Sequence, residues 1–166
     1  MTKTKKLALL AALTAVALTI FVAEAQIPPV VPVPGVKLGL ANIVTLVTMA
    51  LLGRREAGAV LVVRLILGSA FAGGFSGLMF SAAGGAAAYI VMCLLIKVFP
   101  EKLMWVVSVL AALAHNAGQL AVAVWVSGSA SMLYYGTVLA AAGVITGVFT
   151  GFGAMYLTRA AKKLVK

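Results

Sequence analysis

The chain contains no aspartate, one histidine, one cysteine and only three acidic residues. Each shortage excludes something. Without aspartate there is no paired-aspartate site for magnesium and a diphosphate. The lone histidine has no second histidine and no suitable cysteine with which to hold a metal ion. One cysteine, Cys93, forms no intrachain disulfide. No glycine-rich run ends in Gly-Lys-Ser or Gly-Lys-Thr, so a phosphate-cradling P-loop is absent. No cofactor is expected. Charged residues make up 10% of the chain, against about 25% in soluble domains. Too few remain to cover a water-facing surface, and a soluble domain is excluded. Apolar residues make up 64% of the 166 positions. That excludes disorder, because disordered chains are poor in such residues. An all-α integral membrane protein is left.

A bilayer-spanning helix takes about 20 residues. Six apolar segments are read, at about 7–26, 36–53, 57–72, 76–99, 102–126 and 132–157, within a single transmembrane domain over 1–166. The turn between the third and fourth is placed at Ala72-Gly73-Gly74-Phe75-Ser76, on its paired glycines. The charges then sort by loop. Lys3, Lys5, Lys6, Arg54, Arg55, Lys97, Lys102, Arg159, Lys162, Lys163 and Lys166 fall on one side, eleven of the 13 basic residues. Lys37 alone falls on the other, and Arg64 lies inside a span. Cytoplasmic loops are rich in Lys and Arg, so a multi-pass protein of the cell membrane with both termini cytoplasmic is expected. The basic residues are scattered at span ends and form no solvated basic domain. The expected partner is therefore the lipid bilayer, not nucleic acid. Lys3 to Lys6, an apolar run and Ala23-Glu24-Ala25 resemble a secretory signal with its cleavage site. The 16-residue run from Leu7 to Val22 is long for such a region, and prolines follow closely. The first span is expected to be retained.

Small residues recur every fourth position, at Ser69, Gly73, Gly77, Ser81 and Gly85, and again at Gly143, Gly147 and Gly151. Residues four apart share a helix face, and small ones let two backbones approach where lipid supplies no hydrophobic drive. Packing inside the bundle is expected for both ladders. Ala8 with Ala12, and Ala11 with Ala15, form a similar stripe on the first span. It suits either internal packing or docking of another membrane protein.

Glu56 and Glu101 begin spans, where a carboxylate favours the positive helix end. Glu24 lies near the outer end of span one, followed by Gln26. Arg64 is about 10 Å of helical rise into span three. A buried cation of this kind is either a functional group or half of a bundle-locking salt bridge. Span five holds the densest polar cluster, with His115 and Gln119 four apart on one face and Asn116 beside them. Asn42 lies at a similar depth. These side chains read as the lining of a small-molecule pocket. A nucleophile triad would need His115 oriented by a carboxylate, and only Glu24 is available. The segment from Ile27 to Gly35 is apolar and proline-rich. It is semi-rigid, and could close the outer mouth of the bundle as a lid.

Glu24-Ala-Gln-Ile-Pro28, Pro34-Gly-Val-Lys-Leu-Gly-Leu-Ala-Asn42, Arg64-Leu-Ile-Leu-Gly-Ser69 and His115-Asn116-Ala-Gly-Gln119 together resemble the Gx transporter family, also labelled heptaprenyl diphosphate synthase component I. The resemblance runs from about Leu7 to Thr158. It implies a six-helix bundle similar to the S components of energy-coupling factor (ECF) transporters. Such proteins bind a vitamin or other small molecule near the outer face. The polar residues read above, Glu24, Asn42, Arg64, His115, Asn116 and Gln119, are the ones expected to form such a substrate-binding site. The resemblance also implies docking of an ECF coupling (T) subunit, with its ATPases, on Ala8, Ala11, Ala12 and Ala15. Prenyl chain synthesis relies on Asp-rich metal motifs, which this chain lacks, so a catalytic role is not expected. The alternative implied is a non-catalytic membrane accessory subunit, linked to prenyl diphosphate and quinone synthesis or to flavin-based electron transfer.

Overall fold

The computed structural model describes residues 1–28, 36–72 and 74–165, with side chains placed as far as residue 162. Among these residues there are six α-helices: α1 (Lys3–Glu24), α2 (Asn42–Leu51), α3 (Arg54–Ala72), α4 (Gly74–Leu95), α5 (Met104–Ser127) and α6 (Gly136–Val165). Short 3-10 turns, Glu101–Leu103 and Ala130–Tyr135, lead into α5 and α6. Four helical segments are long and apolar enough to cross a membrane: α1, α4, and α5 and α6 with their 3-10 turns. They mark a multi-pass membrane protein. The other two helices fall short for different reasons. α3 has the length, but Arg54, Arg55, Glu56 and Arg64 crowd its 19 residues. α2 has the hydropathy but only 10 residues, about 15 Å of rise, half of a hydrocarbon core.

The span expected at 36–53 is thus helical only from Asn42 to Leu51. The physical reason lies before it. Gly39 takes a φ of +79°, which breaks any helix entering from Val36. The Gly39 and Leu40 amides then bond to the Glu24 carboxylate, at 2.5 and 3.1 Å, instead of to the backbone. The turn expected around Gly73 lies between the end of α3 at Ala72 and the start of α4 at Gly74, where φ is +56°. Gly73 itself is outside the described residues, as are residues 29–35 of the proline-rich segment read as a lid.

α5 runs between α4 and α6, and the seams are backbone-close. A Cβ on Gly147 would lie 2.6 Å from the Val109 Cα, and one on Gly151 2.5 Å from the Trp105 Cα. On the other side, a Cβ on Gly118 would lie 2.7 Å from the Ala83 carbonyl oxygen. The α6 glycine ladder is therefore internal packing, as its spacing predicts. Ser108 and Thr150 share a hydrogen bond of 2.9 Å across the same seam. The second ladder holds only in part. Gly85 packs against Leu61 and Arg64 of α3, whereas nothing lies within 4 Å of a Cβ on Gly77.

The short α2 sits centrally, with seven of its ten residues buried. Its Leu46, Val47 and Met49 meet Ala88 and Met92 of α4, Met104, Val107 and Ala111 of α5, and Ala154 and Met155 of α6. α1 is peripheral. Only Ala17, Phe21 and Glu24 of its 22 residues are buried, all in its last third, where Ala17 packs with Val44 and Val60. Ala8, Ala11, Ala12 and Ala15 are exposed. At the end bearing the termini, Lys6 pairs with Glu56 at 2.5 Å. Nearby in the chain's fold, Glu101 pairs with both Arg159 and Lys162.

Candidate functional site

Chain direction alone sorts the polar residues. The ends of α1 and α3 and the starts of α2 and α4 lie opposite the termini. Glu24, Lys37 and Asn42 therefore gather at that far end, with Arg64, His115 and Gln119 reaching it from mid-helix. All six residues expected to form a site are buried: Glu24, Asn42, Arg64, His115, Asn116 and Gln119. They come from α1, α2, α3 and α5.

Four of them and one backbone amide make a continuous chain of contacts. The Lys37 amide donates to the Gln119 Oε1 at 3.1 Å. Gln119 Nε2 lies 3.0 Å from His115 Nε2. His115 Nδ1 lies 3.2 Å from Asn42 Nδ2. Asn42 Oδ1 accepts from Arg64 Nη2 at 3.4 Å, long for such a bond. Asn116 is not part of this chain. Its Nδ2 turns to α6 and donates to the Leu139 carbonyl at 2.6 Å. His115 faces two amides, so the pairing with Glu24 that a catalytic triad needs is not formed. Glu24 instead spends both oxygens on the Gly39 and Leu40 amides, holding the entry to α2 against the end of α1.

Lys37 belongs to the site although it stands outside the set expected to bind substrate. Among the described residues its ammonium is buried without a hydrogen-bond acceptor, and it sits 3.3 Å from the centroid of the Phe21 ring. The Arg64 guanidinium carbon lies 5.8 Å from the same centroid. Both contacts are favourable, since the ring face carries negative quadrupolar charge. Three glycines make room. A Cβ on Gly68 would lie 2.6 Å from the Phe21 ring, one on Gly39 2.9 Å from His115 Cδ2, and one on Gly84 2.8 Å from His115 Cε1. Sequence patterning singles out Lys37 as a charge at the outer mouth but misses Phe21 and these glycines as its neighbours. The available signal was that Lys37 alone among the loop-end basic residues stands on the side opposite the other eleven.

Glu24, Ile27, Pro28, Val36, Lys37, Leu38 and Leu139 line a cavity of about 20 Å³, room for roughly one water. A second, wider groove of about 540 Å³ lies between α4 and α5, lined by Ser76, Met79, Phe80, Trp125 and Val126.

No curated protein and no solved structure matches the chain. One family model does, over residues 13–157. It runs from the middle of α1 into the later part of α6 and covers every polar residue of the buried cluster, and by it the chain belongs to the family of heptaprenyl diphosphate synthase component I.

Proposed function

We propose that the chain is the membrane-embedded, substrate-binding subunit of a small-molecule transporter, similar in role to an ECF S component. The observation that carries this reading is the burial of Glu24, Asn42, Arg64, His115, Asn116 and Gln119 toward one end of the bundle, where the other buried polar side chains are the hydroxyls of serines and threonines. Burying six polar side chains where lipid surrounds the protein is costly, and a binding site is the function that most directly recovers the cost. The basic residues at the opposite end orient the termini to the cytoplasm, which puts the cluster near the outer face of the cell membrane. Exposure of Ala8, Ala11, Ala12 and Ala15 supports their use as the docking face for a coupling subunit and its ATPases.

The decisive experiment is mass spectrometry of small molecules that copurify with the protein. The identified compound is then rebound to H115A, N116A and R64A variants, and unchanged affinity in all three would sink the site. Replacing the four alanines with leucine is expected to abolish recovery of a coupling protein while leaving the unfolding temperature unchanged.

A second reading rests on the family's own description, which names one component of a synthase. The chain would then be a non-catalytic membrane partner of a soluble prenyl synthase subunit. With no aspartate, it supplies no diphosphate-metal site itself. Crosslinking separates the two readings: recovery of a prenyl synthase or a flavoprotein, without an ATPase-linked protein, favours the accessory role.

A further inference from the structure

The buried cluster has too many donors. The chain from the Lys37 amide through Gln119, His115 and Asn42 to Arg64 has four contacts. A hydrogen-bond donor stands at each end. Four contacts need four acceptors. The three linking side chains, two amides and a neutral imidazole, each offer one acceptor and one donor along the chain. Flipping an amide or changing the histidine tautomer moves the mismatch but does not remove it. One contact always sets donor against donor. Beyond the chain, Lys37 Nζ and Arg64 Nε are buried with no acceptor among the described residues, against one unpartnered amide acceptor of the cluster, Asn116 Oδ1, whose side chain turns away to α6. Charge points the same way, with two cations, Lys37 and Arg64, against one carboxylate, Glu24. That carboxylate is already occupied by two backbone amides.

Donors in excess and a net positive charge of one, out of water, describe a site built for an oxyanion. We propose that the ligand carries a carboxylate or phosphate group, that this group is bound by the ammonium of Lys37 and the guanidinium of Arg64, and that Lys37 is the residue selecting an anion over a neutral compound. The proposal rests on the binding-subunit reading above and names its ligand class. Phe21 holds both cations at one ring without neutralising either, since a ring accepts no proton and carries no net charge. The cavity against Lys37 has room for about one water, and its volume is about 20 Å³. Seating a larger group displaces the Val36–Leu38 segment, which lies outside the helices.

The test uses the full chain purified in detergent. Thermal unfolding is followed while sodium phosphate or sodium acetate is titrated against sodium chloride at matched ionic strength. Wild type is compared with K37M, K37R and, as a control at an exposed lysine of the opposite end, K97M. Small molecules extracted from the same preparation are identified in parallel. At least one of the two oxyanions is expected to raise the unfolding midpoint of wild type, K37R and K97M above the chloride control. In K37M the apparent affinity is expected to fall about tenfold or more, the loss of one charge-assisted hydrogen bond. Whichever of acetate and phosphate acts identifies the headgroup. Equal stabilisation of wild type and K37M overturns the role of Lys37. No stabilisation beyond chloride in wild type overturns the anion. In that event a neutral copurified compound leaves the binding-subunit reading standing, and the absence of any copurified compound removes that reading too. K37M loses a buried charge and is expected to fold at least as stably as wild type, so a folding failure does not obscure the result.

Discussion

The two ends of this bundle handle charge in opposite ways. At the end bearing the termini, acids meet bases in the open. Lys6 pairs with Glu56, and Glu101 is shared by Arg159 and Lys162, with side chains from 19% to 49% exposed. At the other end, Glu24 and Arg64 are 5% and 3% exposed, and no ion pair joins them among the described residues. The first arrangement tolerates loss, because water replaces any partner removed. The second does not, because nothing replaces a missing acceptor inside the bundle. The difference separates charges that water can reach from charges held away from it.

The sharpest break of that contrast is Glu24→Ala. It strips two buried backbone amides of a charged acceptor, worth about 1.5–3 kcal/mol each, so a loss of about 3–6 kcal/mol in unfolding free energy is expected. Chemical denaturation in detergent micelles measures it, and a loss below about 1 kcal/mol would show that Glu24 does not anchor α2. Next in size is Gly68→Ala, whose new methyl group meets the Phe21 ring at 2.6 Å. Overpacking of this kind costs about 1–3 kcal/mol. It is expected to weaken oxyanion binding as well, because Phe21 is displaced from beneath Lys37. Gly77→Ala is its matched control. With nothing within 4 Å of the added Cβ, it is expected to be neutral or to stabilise by up to about 1 kcal/mol. If the two variants behave alike, the packing of Phe21 is not tight.

Smaller still is Glu101→Gln at the termini end, where exposed pairs contribute about 0–1 kcal/mol and fade with salt. A loss above 2 kcal/mol there would erase the contrast between the ends. Smallest is a titration. The hydrogen bond from Lys6, and then the Glu56 backbone amide, hold the Glu56 carboxyl below its ordinary value of 4.5. A depressed folded pKa contributes stability that is present above the unfolded value and is lost as pH falls through the folded one. Lys6→Ala is expected to move the Glu56 titration upward toward 4.5, as read by carboxyl-labelled NMR, and to leave the neutral-pH unfolding midpoint nearly unchanged.

Much of this site is legible in the sequence, and for a simple reason. Polar residues inside apolar spans are rare and stand out, so Arg64, His115, Asn116 and Gln119 identify themselves. Distance in sequence hides their partners. That Asn42 bridges Arg64 and His115, across 22 and 73 residues, depends on how three helices are arranged. Phe21 looks like any apolar residue of a first span until two cations are found around its ring. The glycines are ambiguous in the same manner. Periodicity picks out Gly143, Gly147 and Gly151, which do seam α5 to α6, but passes over Gly39, Gly68 and Gly84, which are spaced by what lies opposite them. The length of α2 was not legible either, because a positive φ at Gly39 and a carboxylate 15 residues earlier decide it.

The peripheral position of α1 has a mechanical side. A helix is stiff along its axis, and this one sinks into the bundle only over its last third, at Ala17, Phe21 and Glu24, while Lys6, Leu10 and Leu13 hold its first half at the surface. It behaves as a handle. Its first half, where the exposed alanines lie, is the part open to an outside contact. Its gripped third carries the ring beneath both cations and the carboxylate that fixes α2. Because one helix carries both, any tilt of α1 would shift the Phe21 ring beside the two cations and the Glu24 anchor of α2 together.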